Sequence, residues 1–170
     1  MAQLIIKNKI ILFDDDDAIN ISQYKWKLVK NYNYGFYVKA DFINPINGKK
    51  SLLSMHRLIM LVNDPKIEVD HKNRNTLDNR RVNLRVCNRT QNTINRAASG
   101  VSKYLGVYFL LNKRELKSGI KYYSKWRAAI NVKGTKIYLG NYNNEIDAAI
   151  AYNVAAKKYH GEFANLNTFN

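Results

Sequence analysis

The sequence predicts an α+β chain built from two modules, and three observations carry that reading. Residues 1–50 hold several short apolar-polar alternations separated by turn residues, the pattern of a β-rich scaffold. Residues 96–103 form a short small-residue stretch with a positive charge at each end, which reads as a linker. Residues 104–170 hold three alternating runs followed by one alanine-rich helical run, which predicts a three-stranded antiparallel sheet packed on one helix. The expected organisation is therefore a first domain over 1–95, with a functional core at about 53–95, the linker, and a second domain over 104–170.

Taken in order, residues 3–13 alternate and are punctuated by Asp14, Asp15, Asp16 and Asp17, which read as a solvated turn. Residues 25–29 and 34–43 follow as strands, with Asn44-Pro45-Ile46-Asn47-Gly48 as a hairpin loop. Apolar residues at helical spacing over 52–62, ended by Asn63-Asp64-Pro65, predict a helix. His56 falls inside it and reads as a structural histidine. Beyond the linker, 104–109 is a strand, 112–121 a polar turn containing Gly119, and 122–132 and 136–142 are two strands joined by Lys133-Gly134-Thr135. Asn143-Asn144 supplies an N-cap for a helix over 145–160, which Gly161 ends.

The chemistry concentrates between Val69 and Asn92. Asp70-His71 sets a carboxylate beside an imidazole, a pair that can divide labour: the acid holds a hard cation and the imidazole takes a proton from water. Asn79, Asn83 and Asn92 follow, and an amide oxygen can complete a Mg²⁺ site that keeps several waters. Arg74, Arg80, Arg81 and Arg85 fill the gaps, and guanidinium groups suit phosphodiester oxygens. Those residues read as a nuclease.

This block, with MHRLIM just upstream, resembles the His-Asn-His (HNH) endonucleases, especially their homing and phage-encoded branch. The resemblance implies a ββα-metal module around one divalent cation, Mg²⁺ or Mn²⁺. It places Asp70 and Asn92 as metal ligands, His71 as the general base and Asn83, in Asn83-Leu84-Arg85, as the residue that orients that base. Asn79 lies close enough in sequence to compete with Asn83 for the last role.

Composition agrees with a polyanionic partner. The formal net charge is +15, and both halves are basic: residues 1–95 carry 16 Lys and Arg against 9 Asp and Glu, and residues 96–170 carry 12 against 4. No basic amphipathic helix with a broad apolar face marks a membrane surface, no apolar run is long enough to span a bilayer, and MAQLIIKNKIILF lacks the features of a signal peptide. The expected location is the cytoplasm. The single Cys87 excludes an internal disulfide and a multi-cysteine structural zinc site.

The second half carries its own resemblance. Tyr104-Leu105-Gly106-Val107, Trp126-Arg127-Ala128-Ala129-Ile130, Ile137-Tyr138-Leu139-Gly140, Asp147-Ala148-Ala149, Ala151-Tyr152, Ala155-Ala156 and Ala164-Asn165-Leu166-Asn167 are similar to the APETALA/ethylene-response-factor type of DNA-binding domain. Strand alternation puts Trp126, Ala128, Ile130 and Val132 toward the helix and Arg127, Ala129, Asn131 and Lys133 on the opposite face, with Lys136 and Tyr138 beside them. The resemblance implies that Arg127, Asn131, Lys133, Lys136 and Tyr138 meet double-stranded DNA. Leu105 and Tyr108 stand where the plant domains carry prominent arginines, so their recognition sequence does not transfer. The expected function is a site-directed DNA endonuclease leaving 5′-phosphate and 3′-hydroxyl ends, acting as a monomer or homodimer. Its alternative is a non-cleaving DNA-binding regulator with a decayed nuclease module. An RNA-binding protein, suggested by twelve tyrosines, is a third.

Overall fold

Residues 2–13 read as one alternating run, but they fold as a hairpin of β1 (Ala2–Ile6) and β2 (Lys9–Phe13). The two-residue turn between them puts Lys7 and Asn8 at φ 48° and 62°, the left-handed pair that a type I′ hairpin turn requires. The computed structural model describes residues 2–31, 35–44, 48–96, 98 and 100–169. Tyr34, Pro45, Ile46 and Asn47 of the expected strand and loop, and Ala97 and Ser99 of the expected linker, lie outside the described residues. The chain divides into two compact units, residues 1–92 and 93–170.

In the first unit the short helix α1 (Ala18–Ser22) leads to a three-stranded antiparallel sheet of β3 (Trp26–Asn31), β4 (Gly35–Ile43) and β5 (Lys50–Ser54). The helix expected over 52–62 is shorter than its apolar pattern suggested. Ser51, Leu52, Leu53 and Ser54 pair with β4, and α2 occupies only Met55–Ile59. Leu52 and Leu53 suit either period, and cross-strand pairing decides between them. A second antiparallel pair, β6 (Glu68–His71) and β7 (Leu84–Cys87), is followed by α3 (Arg89–Ile94). Ile11, Phe13, Ile21, Val38, Met55, Ile59, Val69 and Leu84 form one buried cluster, so the scaffold sheets and the β6–β7 pair share a core.

The aspartate run departs from the expected solvated turn at Asp17, while Asp15 and Asp16 are exposed. Asp15–Asp17 form a 3₁₀ turn, and Asp17 is buried rather than solvated. It receives Arg81 Nε at 3.1 Å and Nη2 at 2.6 Å, while Asp14 Oδ2 accepts the Arg81 backbone N–H at 2.7 Å. A carboxylate that deep needs a cation, and Arg81 supplies it.

The second unit is an antiparallel sheet in the order β10-β9-β8, made from β8 (Val107–Leu116), β9 (Gly119–Val132) and β10 (Thr135–Tyr142), with α4 (Glu145–His160) against it. Alanines 148, 149 and 156 are fully buried, so the helix lies close to the strands. Asn144 caps it, its side chain accepting the Asp147 N–H at 2.8 Å, and Gly161 follows at φ 55°. Gly106 marks the tightest approach: a Cβ there would lie 2.1 Å from Tyr152 Cδ2 and 2.5 Å from the Ala129 carbonyl oxygen, at φ 68°. Asn167 clamps the C-terminal segment, accepting Leu105 N–H at 2.7 Å and donating to Leu105 O at 3.1 Å.

Two further expectations change. Residues 112–121 are not a polar turn, because β8 runs on to Leu116 and β9 starts at Gly119. Described parts of the expected linker are anchored in the second unit: Ser102 is buried and donates to Glu145, and Arg96 O accepts from Asn165. No helix among the described residues is long and apolar enough to cross a membrane.

Candidate functional site

Asp70 and His71 end strand β6, paired with Arg85 and Leu84 of β7. Both are buried, at 7% and 4% exposure. Two such polar side chains need partners: Arg85 of β7 serves Asp70, and the loop 72–83 between the strands serves His71. That loop is itself pinned by the N-terminal hairpin. Leu12 N–H donates to Leu77 O at 2.9 Å and Asn79 N–H donates to Leu12 O at 2.7 Å, a parallel bridge from β2.

The fastening places Asn79, only 1% exposed, with its Oδ1 3.2 Å from His71 Nε2. An amide oxygen only accepts, so Nε2 carries the hydrogen and the ring's lone pair resides on Nδ1. The Asn79 Nδ2 is buried without a hydrogen-bond partner among the described residues. Asn83 does something else: its Oδ1 accepts Asn73 N–H at 3.0 Å, its Nδ2 donates to Asp78 O at 2.7 Å, and its backbone oxygen accepts Lys72 N–H at 2.8 Å. Of the two asparagines left open by the sequence, it is the Asn79 side chain that lies against the imidazole. Asn83 closes the loop, and Asn79 touches the ring.

His71 is also walled by rings that the linear pattern did not assign to it. The His56 ring stands edge-on at 5.1 Å, and Tyr37 lies 5.7 Å from His56 and 6.3 Å from His71. Burial, then the charges of His71, Arg57 and Lys39, lowers the His56 pKa from 6.5 to about 3. Burial also lowers that of His71, against the opposing pull of its Asn79 bond and of Asp70 and Asp78. Both imidazoles are thus neutral at pH 7, and a neutral ring is what a proton acceptor requires.

Asp70 Oδ2 accepts Arg85 Nε at 2.9 Å and Nη2 at 2.8 Å. Asn92, on α3, donates from Nδ2 to Glu68 Oε2 at 2.5 Å, which leaves the amide oxygen as the atom suited to a cation. Among the described residues no group of three or more His, Cys, Asp or Glu is arranged around a common ion position. A carboxylate and an amide fit a hard ion that keeps most of its water, and such an ion would share Asp70 with Arg85. Glu68, two residues before Asp70 on the same strand, is an oxygen donor that motif spacing alone did not single out. Burial and then Asp70 and Glu68 push the Cys87 thiol up to about 11, so it stays protonated and unreactive.

The arginines expected to meet phosphate are mostly committed. Arg80 grips Asp78 through Nε and Nη2, both at 2.7 Å, and this bond is the main cause of a lowered Asp78 pKa. Arg81 holds Asp17 and Arg85 holds Asp70. Each of these three arginines pairs with a carboxylate of its own unit. Arg74 sits at φ 63° in an exposed turn, its N–H on His71 O at 2.9 Å.

In the second unit, Arg127, Asn131, Lys136 and Tyr138 do share one sheet face. Arg127 Nε donates to Asn141 Oδ1 at 3.1 Å and its guanidinium lies 5.3 Å from the Tyr138 ring. Lys136 stands 4.1 Å from the Tyr108 ring. Together Arg127, Tyr138, Gly140 and Asn141 line a shallow depression. Lys133 is the exception. The strand ends at Val132, and Lys133 with Gly134 forms the turn at φ 49° and 84°, beyond the sheet face. Trp126 packs into the core against Phe109, as its strand position predicted.

Residues 55–94 match a family model described as HNH endonuclease. Over 152 residues the chain is 31% identical to an uncharacterized HNH endonuclease of Acanthamoeba polyphaga mimivirus, an alignment that covers 86% of this chain and 68% of that relative. The matched family segment contains α2, the β6–β7 pair and every residue of the His71 cluster except Tyr37.

Proposed function

The chain belongs to the HNH endonuclease family, and from that premise we propose a site-directed, metal-dependent DNA endonuclease in which His71 is the general base. A nuclease of this family acts on DNA and generally uses a divalent metal ion. The observation that carries the finer reading is the buried His71, its Nε2 3.2 Å from Asn79 Oδ1 and Asp70 beside it in the chain. Asp70 and Asn92 are the residues that would hold the ion, here Mg²⁺ or Mn²⁺. When bound, that ion supplies stabilisation of the negative charge that builds on the phosphate and the leaving oxygen.

The chain's own residues do the rest. His71 Nδ1 takes a proton from a water molecule, whose oxygen forms a bond to phosphorus as the bond to the 3′-oxygen breaks. The leaving oxygen then acquires a proton from solvent, giving 5′-phosphate and 3′-hydroxyl ends. Asn79 keeps the ring in the tautomer whose lone pair is on Nδ1, and Tyr37 and His56 restrict its rotation. One such motif serves one strand, so a single copy nicks; a double-strand break requires a second copy or a second event. The outer sheet face of the second unit, with Arg127, Asn131, Lys136 and Tyr138, is the surface proposed to choose the site, in the manner of the APETALA type.

The test is cleavage by the full chain of its flanking genomic DNA in Mg²⁺, with the new ends mapped. His71→Ala and Asp70→Ala should abolish cutting and leave DNA affinity nearly unchanged. Either variant cutting at the parent rate would remove that residue from the reaction.

A further inference from the structure

The strand pairing leaves part of the second unit's sheet without its third strand. β10 pairs with β9 only from Val132 back to Trp126, whereas β8 and β9 continue together to Leu116 and Gly119. Residues 110–125 therefore project as a two-stranded arm, closed by a two-residue turn at Lys117 and Ser118. From Lys113 to Ser124 every residue of the arm is exposed.

The two faces of this arm differ in charge. Cross-strand register puts Tyr108, Leu110, Asn112 and Arg114 on the same face as Arg127, Lys125, Tyr123 and Lys121. That face holds no carboxylate, and it is continuous with the face carrying Arg127 and Asn131. The acid of the arm, Glu115, lies on the other face, 3.6 Å from Lys113 Nζ. Near the tip, Arg114 and Lys121 are directly opposed across the strands. Two like charges so placed destabilise a hairpin, so the pairing makes sense where an anion sits against both. An arm of this kind also has the width that a major groove accepts, since the groove admits a two-stranded β-ribbon.

We propose that this arm is a second duplex-DNA contact, which lays Arg114 and Lys121 on phosphates beyond the reach of the three-stranded sheet. The inference rests on the reading of that sheet as a DNA-binding surface. At about 3.3 Å per residue, Lys121 lies roughly 20 Å along β9 from Arg127, or about six base pairs of duplex at 3.4 Å each. The contacts are to the backbone, so they add affinity and footprint rather than base preference.

The experiment measures binding of the full chain and of Arg114→Gln/Lys121→Gln to cognate and scrambled duplexes over a salt series, together with a hydroxyl-radical footprint. Two lost phosphate contacts should lower the salt slope by about 1.8 and weaken binding roughly thirtyfold at 0.15 M salt, equally for both duplexes. The footprint should shorten by about six base pairs at one end. Lys113→Gln, on the opposite face, should match the parent. Removing one repulsive pair should leave the melting temperature of the double variant unchanged or raised, which separates lost contact from lost fold. A double variant with the parent's affinity, slope and footprint overturns the arm proposal alone. A parent chain that binds no duplex at 0.05 M salt overturns the DNA reading of the sheet and the arm with it.

Discussion

Acidification from pH 8 to pH 5 should destabilise the first unit by about 2 kcal/mol through His56 alone. Burial is the main cause that lowers its folded pKa from 6.5 to about 3, followed by the His71, Arg57 and Lys39 charges. Above pH 6.5 the ring is neutral in both folded and unfolded chains, and the stability it permits is fully present. As pH falls below 6.5 the unfolded chain binds a proton that the folded chain refuses until about pH 3. Within that window stability drops by about 1.4 kcal/mol per pH unit, and pH 5 lies about 1.5 units into it. His56→Phe keeps a ring against Tyr37 and His71 and removes the titration. The assay is urea unfolding at pH 8, 6.5 and 5 in a Trp126→Phe background, so that Trp26 fluorescence reports the unit containing His56. The parent should lose about 2 kcal/mol more than the variant between pH 8 and 5. Parallel losses, within about 0.5 kcal/mol, would show that His56 is not held neutral by its surroundings.

Asn79→Ala should lower the cleavage rate about a hundredfold with little change in DNA affinity, because it releases the base from its tautomer and position. Asn83→Ala should instead destabilise the first unit by about 1–3 kcal/mol, seen as an earlier unfolding midpoint, because it unmakes two side-chain bonds that close the loop. The reverse pattern would return Asn83 to the base. Chelation should stop cleavage and either Mg²⁺ or Mn²⁺ should restore it, with full-rate cutting in excess chelator as the contrary outcome. Gly106→Ala should destabilise the second unit by at least about 3 kcal/mol and abolish its DNA binding, since a Cβ meets Tyr152 and backbone at an unfavourable φ; a parent-like melt of that unit would contradict the packing.

Much of this was legible in the linear chain because the relevant interactions are local or periodic. Asp70-His71, Asn83-Leu84-Arg85 and Asn92 point to the family by order and spacing, and charge points to a polyanion. The helix over Glu145–His160, its Asn144 cap and its Gly161 end follow from 3.6-residue periodicity and capping chemistry, which act within a few residues. The inward face of β9 follows from two-residue alternation.

Tertiary structure decided which of two neighbouring asparagines reaches His71. The path of loop 72–83 is set by hydrogen bonds to Leu12, some sixty residues away, and nothing in the spacing of Asn79 and Asn83 encodes that constraint. It decided the fate of the arginines too, because Arg81 finds its carboxylate 64 residues upstream at Asp17. The His56–His71 contact depends on how α2 packs against β6, and the projecting arm on where β10 stops pairing. Local rules determine the caps, the long helix and the alternating faces, while cross-strand pairing decided residues 51–54 and 112–121. Long-range burial and charge pairing determine which side chains meet, because the energy of a buried ion pair or a walled imidazole exists only once distant segments have excluded water together.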